Sequence, residues 1–369
     1  MSTADQASLA AFRETAQRFA QKELKTRAID FDRYPYAEFN AGAVQAAREV
    51  GLLQVLLPEE RGGTGQGMEV FSEILFSLAQ ADASVAAILL VNALGQSALL
   101  KWGKPSLQEK YLSANLLAFP VYDSPANLPR GVEAEKKGNG YVLRGKVEYL
   151  ALAPVAEAAV IPASLQGTEK TAFFLVDLKN PGISRSAPVL SLGLRGVPVA
   201  DLEIGGLEVP ADYLLCPDAG SEYPGFAARF SPAAAALAVG VAAGSYETAK
   251  AYARERYQAG KIIIDHEMIR LLLSNVAVIA ESGRALFGAM ARAVDEGREE
   301  LLAETGLILS TELASRAVSD GVQALGGYGY IEDYGQEKRM RDAKQIESFF
   351  GPAPVKRLEL LEGILRREK

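Results

Sequence analysis

Between Gln323 and Pro354 the chain reads QALGGYGYIEDYGQEKRMRDAKQIESFFGPAP. A helical pattern that begins near Glu299 ends at Leu325, because Gly326-Gly327 is a helix C-terminal stop. Small and charged residues follow and close in Arg341-Asp342-Ala343-Lys344. Then comes Glu347-Ser348-Phe349-Phe350-Gly351-Pro352, and a last helix opens after Pro352 or Pro354. The two glycines have two readings. They stop a helix, or they let backbone amides approach an anion closely.

Upstream of this stretch lie two more long helices. One opens at Ser231 or Pro232 and reaches about Gln258, and the next spans about His266 to Glu296. Before them the pattern changes period. Gly138-Asn139-Gly140 is a turn, followed by Tyr141, Val142, Leu143, Val147 and Tyr149. Further strand-like runs are Ala158 to Ala163, Ala172 to Leu178 and Leu202 to Ile204. The first third is helical again: Leu9, Phe12, Ala16 and Phe19 recur at helical spacing, as do segments Phe39 to Gln54 and Val70 to Trp102. Leu56 to Gly67 between them is a glycine-rich loop, without the Lys-Ser/Thr of an ATP-binding P-loop. The expected fold is α+β in three domains. They are an N-terminal helical domain (1–115), a middle antiparallel β-barrel domain (116–225) and a C-terminal four-helix bundle (226–369).

The 369 residues are 49% hydrophobic and 23% charged, which is ordinary globular composition. A net charge of −7 repels phosphate backbones, so nucleic acid is not an expected partner. A CoA-type anion would need a local basic pocket. Cys216 is the one cysteine and His266 the one histidine, which excludes an internal disulfide and leaves no metal site. The N-terminus lacks a secretion signal, and a cytoplasmic location is expected. The apolar window Ala83 to Leu100 is broken by Asn92, Gly95, Gln96 and Ser97. It is read as a buried core helix, with no membrane insertion.

The order helices, barrel, four helices resembles the acyl-CoA dehydrogenase family. LPEERGGTG (Leu57 to Gly65) looks like the family's loop between early helices. SLGLRGVPVADLEIGGLEVP (Ser191 to Pro210) is similar to its LGxRG segment. ARERYQAGK (Ala253 to Lys261) resembles its R-x-Q-F-G-K stretch, and Gln323 to Lys344 its Q-x-x-G-G-x-G-Y…R-D-A-K segment. The resemblance implies FAD at a dimer interface, an acyl-CoA substrate and an electron-transferring flavoprotein as electron acceptor. It implies a homo- or hetero-oligomer, dimer or tetramer. Arg256 and Gln258 sit where the family contacts the cofactor's pyrophosphate and adenosine side. Gln323, Gly326 and Gly327 sit where the partner subunit contacts that same half, and His266 lies near the cofactor-side helix. A guanidinium offers a planar fork to phosphate oxygens.

The catalytic positions depart from that family. Its base, the Glu of I-Y-E-G-T, corresponds to Phe350, and the following Thr to Pro352. The alternative base position near the start of the long helix falls at about Phe230. A phenyl ring accepts no proton, although the Phe350 amide is left as a donor for a thioester oxygen. The flavin loop T-E-P-x-A-G-S-D is here VYDSPANLPRG, with Tyr122 for Thr and Asp123 for Glu. The family's W-I-T-N is YLAL, where Tyr149 keeps an aromatic wall and Ala151 loses a hydroxyl. Val197 and Val199 replace hydroxyl residues in the LGxRG segment. Loss of a general base typically costs about 10²–10⁴ in rate. Asp123, Tyr122 and Glu347 are the substitute acid-base candidates. Glu148 abuts Tyr149, and Asp342 is expected to pair with a nearby Arg.

The implied function is α,β-desaturation of an acyl-CoA by FAD, with this chain as the base-less subunit of a hetero-oligomer. Two alternatives stand beside it. One is an autonomous flavoenzyme with a relocated base or another flavin reaction. The other is a non-catalytic scaffold that binds acyl-CoA or a partner.

Overall fold

The computed structural model describes residues 3–33, 39–112, 116–298 and 300–367. Its first third is helical: Thr3–Phe19 (α1), Ala41–Glu49 (α2), Met68–Ala79 (α3), Ala83–Trp102 (α4) and Pro105–Tyr111 (α5). The single run expected from Val70 to Trp102 is two helices. Asp82 divides it, because its backbone is extended and its carboxylate accepts the Ser84 amide as an N-cap. The short α5, absent from the expected elements, opens with Pro105 in its first turn.

The polar breaks in α4 seat it in the core. Asn92 is 1% exposed, and its Oδ1 accepts the Leu117 amide at 3.0 Å. A Cβ on Gly95 would lie 2.6 Å from the Leu117 Cβ, so glycine lets helix and strand meet. Among the described residues three helices are long and apolar enough to cross a membrane: α4, Ala219–Glu255 (α6) and Glu267–Asp295 (α7). The apolar windows of the first two are 89% and 94% buried inside the protein, that of α7 28%.

The middle block is one eight-stranded sheet. Its strands are Leu117–Ala118 (β1), Val132–Lys137 (β2), Gly140–Ala151 (β3), Ala158–Leu165 (β4), Thr171–Asp177 (β5), Ile183–Arg185 (β6), Val199–Pro210 (β7) and Leu214–Cys216 (β8). The strands run in the order β6-β7-β3-β2-β4-β5-β8, and their pairing is not all antiparallel as expected. Strand β4 pairs in parallel with both β1 and β2, so the sheet is mixed. Phe119, Phe173, Tyr223 and Phe226 join the sheet to α6, with Trp102 of α4 4.9 Å from Phe226. Such ring pairs add about 0.5–1.5 kcal/mol each beyond the area they bury.

Helix α6 starts well before the expected Ser231 or Pro232, inside the block read as β. Asp218 caps it through the Ser221 amide, and Pro224 and Pro232 both lie within the helix. Proline removes one intrahelical hydrogen bond, and burial of this helix against its neighbours outweighs that loss. A tight hairpin follows, Tyr257–Gln258 (β9) and Lys261–Ile262 (β10), turning on Ala259 (φ 51°) and Gly260 (φ 85°). After α7 comes Glu300–Leu325 (α8), which ends at Gly326-Gly327 as expected; Glu299 lies outside the described residues. The expected four-helix bundle has a further member. Gln336–Ile346 (α9) precedes Ala353–Arg367 (α10), so the R-D-A-K string is helical.

Helix α9 is pinned by buried charge. Lys338 donates to Asp342 Oδ2 at 2.6 Å and Asp82 Oδ1 at 3.1 Å, with all three side chains at most 7% exposed. Asp342 pairs with this lysine one turn away, not with an arginine as expected. Arg341 instead engages Asp32 and Glu337. Asp342 Oδ1 also accepts the Leu194 amide at 2.6 Å, which ties α9 to the LGLRG loop.

Candidate active site

Four segments converge here: the loop from Pro120 to Gly131, the end of β3, the LGLRG loop between β6 and β7, and the turn between α9 and α10. Four non-glycine residues here have left-handed backbones, Tyr149 (φ 56°), Leu152 (φ 67°), Leu194 (φ 50°) and Phe350 (φ 58°). Each such residue costs on the order of 1–3 kcal/mol and persists only where its surroundings impose it. The four amides show the imposition. Tyr149 N donates to Asp201 Oδ1, Leu152 N to the Pro198 carbonyl, Leu194 N to Asp342 and Phe350 N to the Val121 carbonyl. A strained, hydrogen-bonded frame is therefore present, whatever its side chains do.

Those side chains fill the frame. The Tyr122 ring lies edge-on to Tyr149 at 4.9 Å and edge-on to Phe349 at 5.3 Å. A planar ring stacked between two walls needs about 7 Å, roughly 3.5 Å on each side. Tyr122 touches both rings, so no planar ring stacks between it and Tyr149 or between it and Phe349. Tyr149 Oη lies 2.6 Å from Ser191 Oγ and accepts from Gln345 at 3.1 Å. Burial, with Tyr149 beside it, holds the Tyr122 phenol far above its ordinary range, so it stays protonated at neutral pH. The roles of Phe349, Gln345 and Ser191 had no sequence signal, because they depend on rings meeting across three segments.

Phe350, 2% exposed, packs into the core. The expectation that its amide remains available to a thioester oxygen is corrected: that N–H donates to the Val121 carbonyl at 2.7 Å. Gly351 (φ 97°) lies against Ser124, where an added Cβ would come within 3.0 Å of the Ser124 Cβ. Phe230, at the other base position, is 4% exposed and stacks on Phe226. Glu347 pairs with Lys344 at 2.6 Å, and the exposed Glu148 with Lys146 at 3.0 Å.

Asp123 differs from these paired acids. Burial pushes its carboxyl up to about 7. The folded chain therefore holds a proton that the unfolded chain releases near pH 4. Stability is full below that pH and is lost as pH rises through 7. Asp123→Asn should thus stabilise the protein by up to about 4 kcal/mol above pH 7 and by little at pH 4. Denaturant melts at both values check this, and equal curves for variant and parent would contradict it.

A cavity of about 360 Å³ opens behind Phe350, between α6, α8 and α10. Its apolar wall includes Ala227, Leu307 and Phe350, and its one cationic lining residue is Lys356. Glu304, Glu359 and Glu362 also line it, so it is not the basic pocket that CoA phosphates would need.

The residues expected at the nucleotide half of FAD lie elsewhere. Arg256 and Gln258 follow α6, Gln323 ends α8, and all are exposed along with Gly326 and Gly327. The Arg256 guanidinium sits 5.6 Å from the Tyr328 ring centroid, so both sets share one surface of one chain. His266 precedes α7 and hydrogen-bonds the Gln258 carbonyl at 3.0 Å, bracing the hairpin. A Cβ on Gly327 would meet nothing within 4 Å, and its φ is not left-handed. Nothing in the chain's own fold demands glycine there.

Residues 6–116 match the acyl-CoA dehydrogenase N-terminal domain, and residues 228–365 the acyl-CoA dehydrogenase C-terminal domain. Cyclohex-1-ene-1-carbonyl-CoA dehydrogenase of Syntrophus aciditrophicus (strain SB) is 30% identical over 94% of this chain and 87% of that protein. The chain belongs to the acyl-CoA dehydrogenase family. The caffeyl-CoA reductase-Etf complex subunit CarC of Acetobacterium woodii is 27% identical, over 96% of this chain and 97% of its own length. Butyryl-CoA dehydrogenase from Megasphaera elsdenii superposes with a TM-score of 0.89 at 22% identity, covering 99% of this chain and 98% of that one, which shows the shared fold. This acyl-CoA dehydrogenase family chain is thus an oxidoreductase by descent, and FAD is the cofactor of its family. The fit to FAD is split. The exposed Arg256–Gly327 surface suits a pyrophosphate, whereas the Tyr122–Tyr149–Phe349 cluster leaves the isoalloxazine no place between its rings.

Proposed function

We propose that this chain is the base-less subunit of a hetero-oligomeric, FAD-dependent acyl-CoA dehydrogenase. The carrying observation is that a buried Phe350 stands at the base position, with the Tyr122 ring packed against both Tyr149 and Phe349. A second, related chain supplies the flavin-ring site and the carboxylate that removes the α-proton. This chain supplies the shared fold and an anion-binding surface for the nucleotide half of the partner's cofactor. The CarC relative, a named complex subunit, supports an assembly that passes electrons to an electron-transferring flavoprotein. The substrate is an acyl-CoA, and the cavity beside Phe350 keeps room for the acyl end of a thioester.

Native mass spectrometry of the complex taken from its host tests this reading. The expected result is two different family chains with one FAD per pair. A homo-oligomer carrying one FAD per chain would contradict it. A second reading, an autonomous enzyme with Asp123 as relocated base, draws on that residue's elevated pKa. It requires turnover by the isolated chain that Asp123→Asn abolishes.

A further inference from the structure

Lys356 stands out among the lysines of the described residues. It is 7% exposed, lies in the first turn of α10 and lines the cavity beside Phe350. Its Nζ donates to the Glu347 carbonyl at 2.7 Å and to the Phe349 carbonyl at 2.9 Å. The two carbonyls take two of the nitrogen's three free positions, and the third, a proton in the ammonium and the lone pair in the neutral amine, has no protein hydrogen-bond partner among the described residues. Buried amines of this kind act as nucleophiles toward carbonyl carbon.

We propose that Lys356 is an acyl-acceptor site, whose Nζ takes the acyl group of a thioester entering the cavity between α6, α8 and α10. This rests on the reading that a CoA thioester uses that cavity. The Nζ lone pair forms the new N–C bond at the thioester carbonyl. The C–S bond breaks, sulfur leaves as thiolate, and the proton lost by nitrogen passes to it. The products are an amide on Lys356 and a free thiol, with no oxidant or reductant. Acylation ends the nitrogen's basicity and its nucleophilicity, so Lys356 takes one acyl group.

The charged groups facing Lys356 are Glu347 at the end of α9, Glu304 and Glu312 on α8, and Glu359 and Glu362 on α10. The α6 residues and the Pro125–Ala126 loop that line the cavity are uncharged. The carboxylates favour the ammonium, but burial outweighs them and lowers the amine to about 8. The neutral fraction at pH 7.4 is then about 20%, against roughly 0.1% for an ordinary lysine.

The test incubates the full chain with butyryl-CoA and, separately, with S-butanoyl-N-acetylcysteamine. Peptide mass spectrometry then follows acyl occupancy at each lysine from pH 6.5 to 10. Lys356 should acylate at least about 10-fold faster than the median lysine, with its rate levelling above pH 9 while the others still rise. Lys356→Arg, which keeps donors for both carbonyls, should remove that fast site alone. If Lys356 merely caps the end of α9 as an ammonium, it acylates more slowly than surface lysines, and the proposal is overturned. Fast labelling by the small thioester but not by butyryl-CoA upholds the nucleophile and overturns the reading that CoA esters reach this cavity.

Discussion

Replacing Lys338 with methionine is expected to cost about 3–5 kcal/mol of stability, because it leaves two buried carboxylates without a counter-ion. Methionine keeps the length and apolar stem of the side chain, so the loss isolates the charge. Asp82 and Asp342 are at most 2% exposed and both touch the Lys338 ammonium. Each also holds a backbone amide, of Ser84 and Leu194, so neither can turn away without orphaning a donor. The damage therefore spreads to the start of α4 and to the strained LGLRG loop. Denaturant melts measure it. Adding Asp342→Asn to Lys338→Met should recover part of the loss, since one buried charge disappears. A single-variant loss below about 1 kcal/mol would show that the network is dispensable.

Arg256→Glu is expected to reduce flavin retention by the co-purified complex at least about 10-fold while leaving the fold intact. Arg256 is exposed, with the Tyr328 face beside its guanidinium, so the fold loses little. A charge-assisted hydrogen bond to phosphate is worth about 1.5–3 kcal/mol, and reversal of sign adds repulsion. Flavin absorbance per complex after dialysis, set against circular dichroism, separates the two effects. Unchanged flavin content would remove this surface from the cofactor's path.

Much of this architecture was legible because local chemistry and tertiary structure agree. Gly326-Gly327 ends α8 as the pattern implies, and the broken apolar window of α4 is a core helix whose Asn92 bonds to β1. Errors arose where burial overrode local rules. Pro232 reads as a helix start and Pro224 as lying within the β block, yet both lie inside α6, whose central turns are buried. Asp82 reads as one polar residue in an apolar stretch but caps a new helix. At the site, the missing carboxylate at Phe350 was visible by alignment alone. The use of its amide by Val121 was not, because that bond joins segments far apart in the chain. Lys356 could not be singled out either, since one lysine in an amphipathic helix reads as solvated until its carbonyl partners are located.

Whether the Tyr122–Tyr149–Phe349 cluster admits a flavin ring decides the role of this chain. The visible spectrum of the purified chain, expressed alone with excess FAD and then mixed with an acyl-CoA, answers it. The expected spectrum shows little absorbance near 450 nm, and acyl-CoA leaves it unchanged. One bound flavin per chain, bleached by the thioester, would contradict the base-less, partner-dependent role.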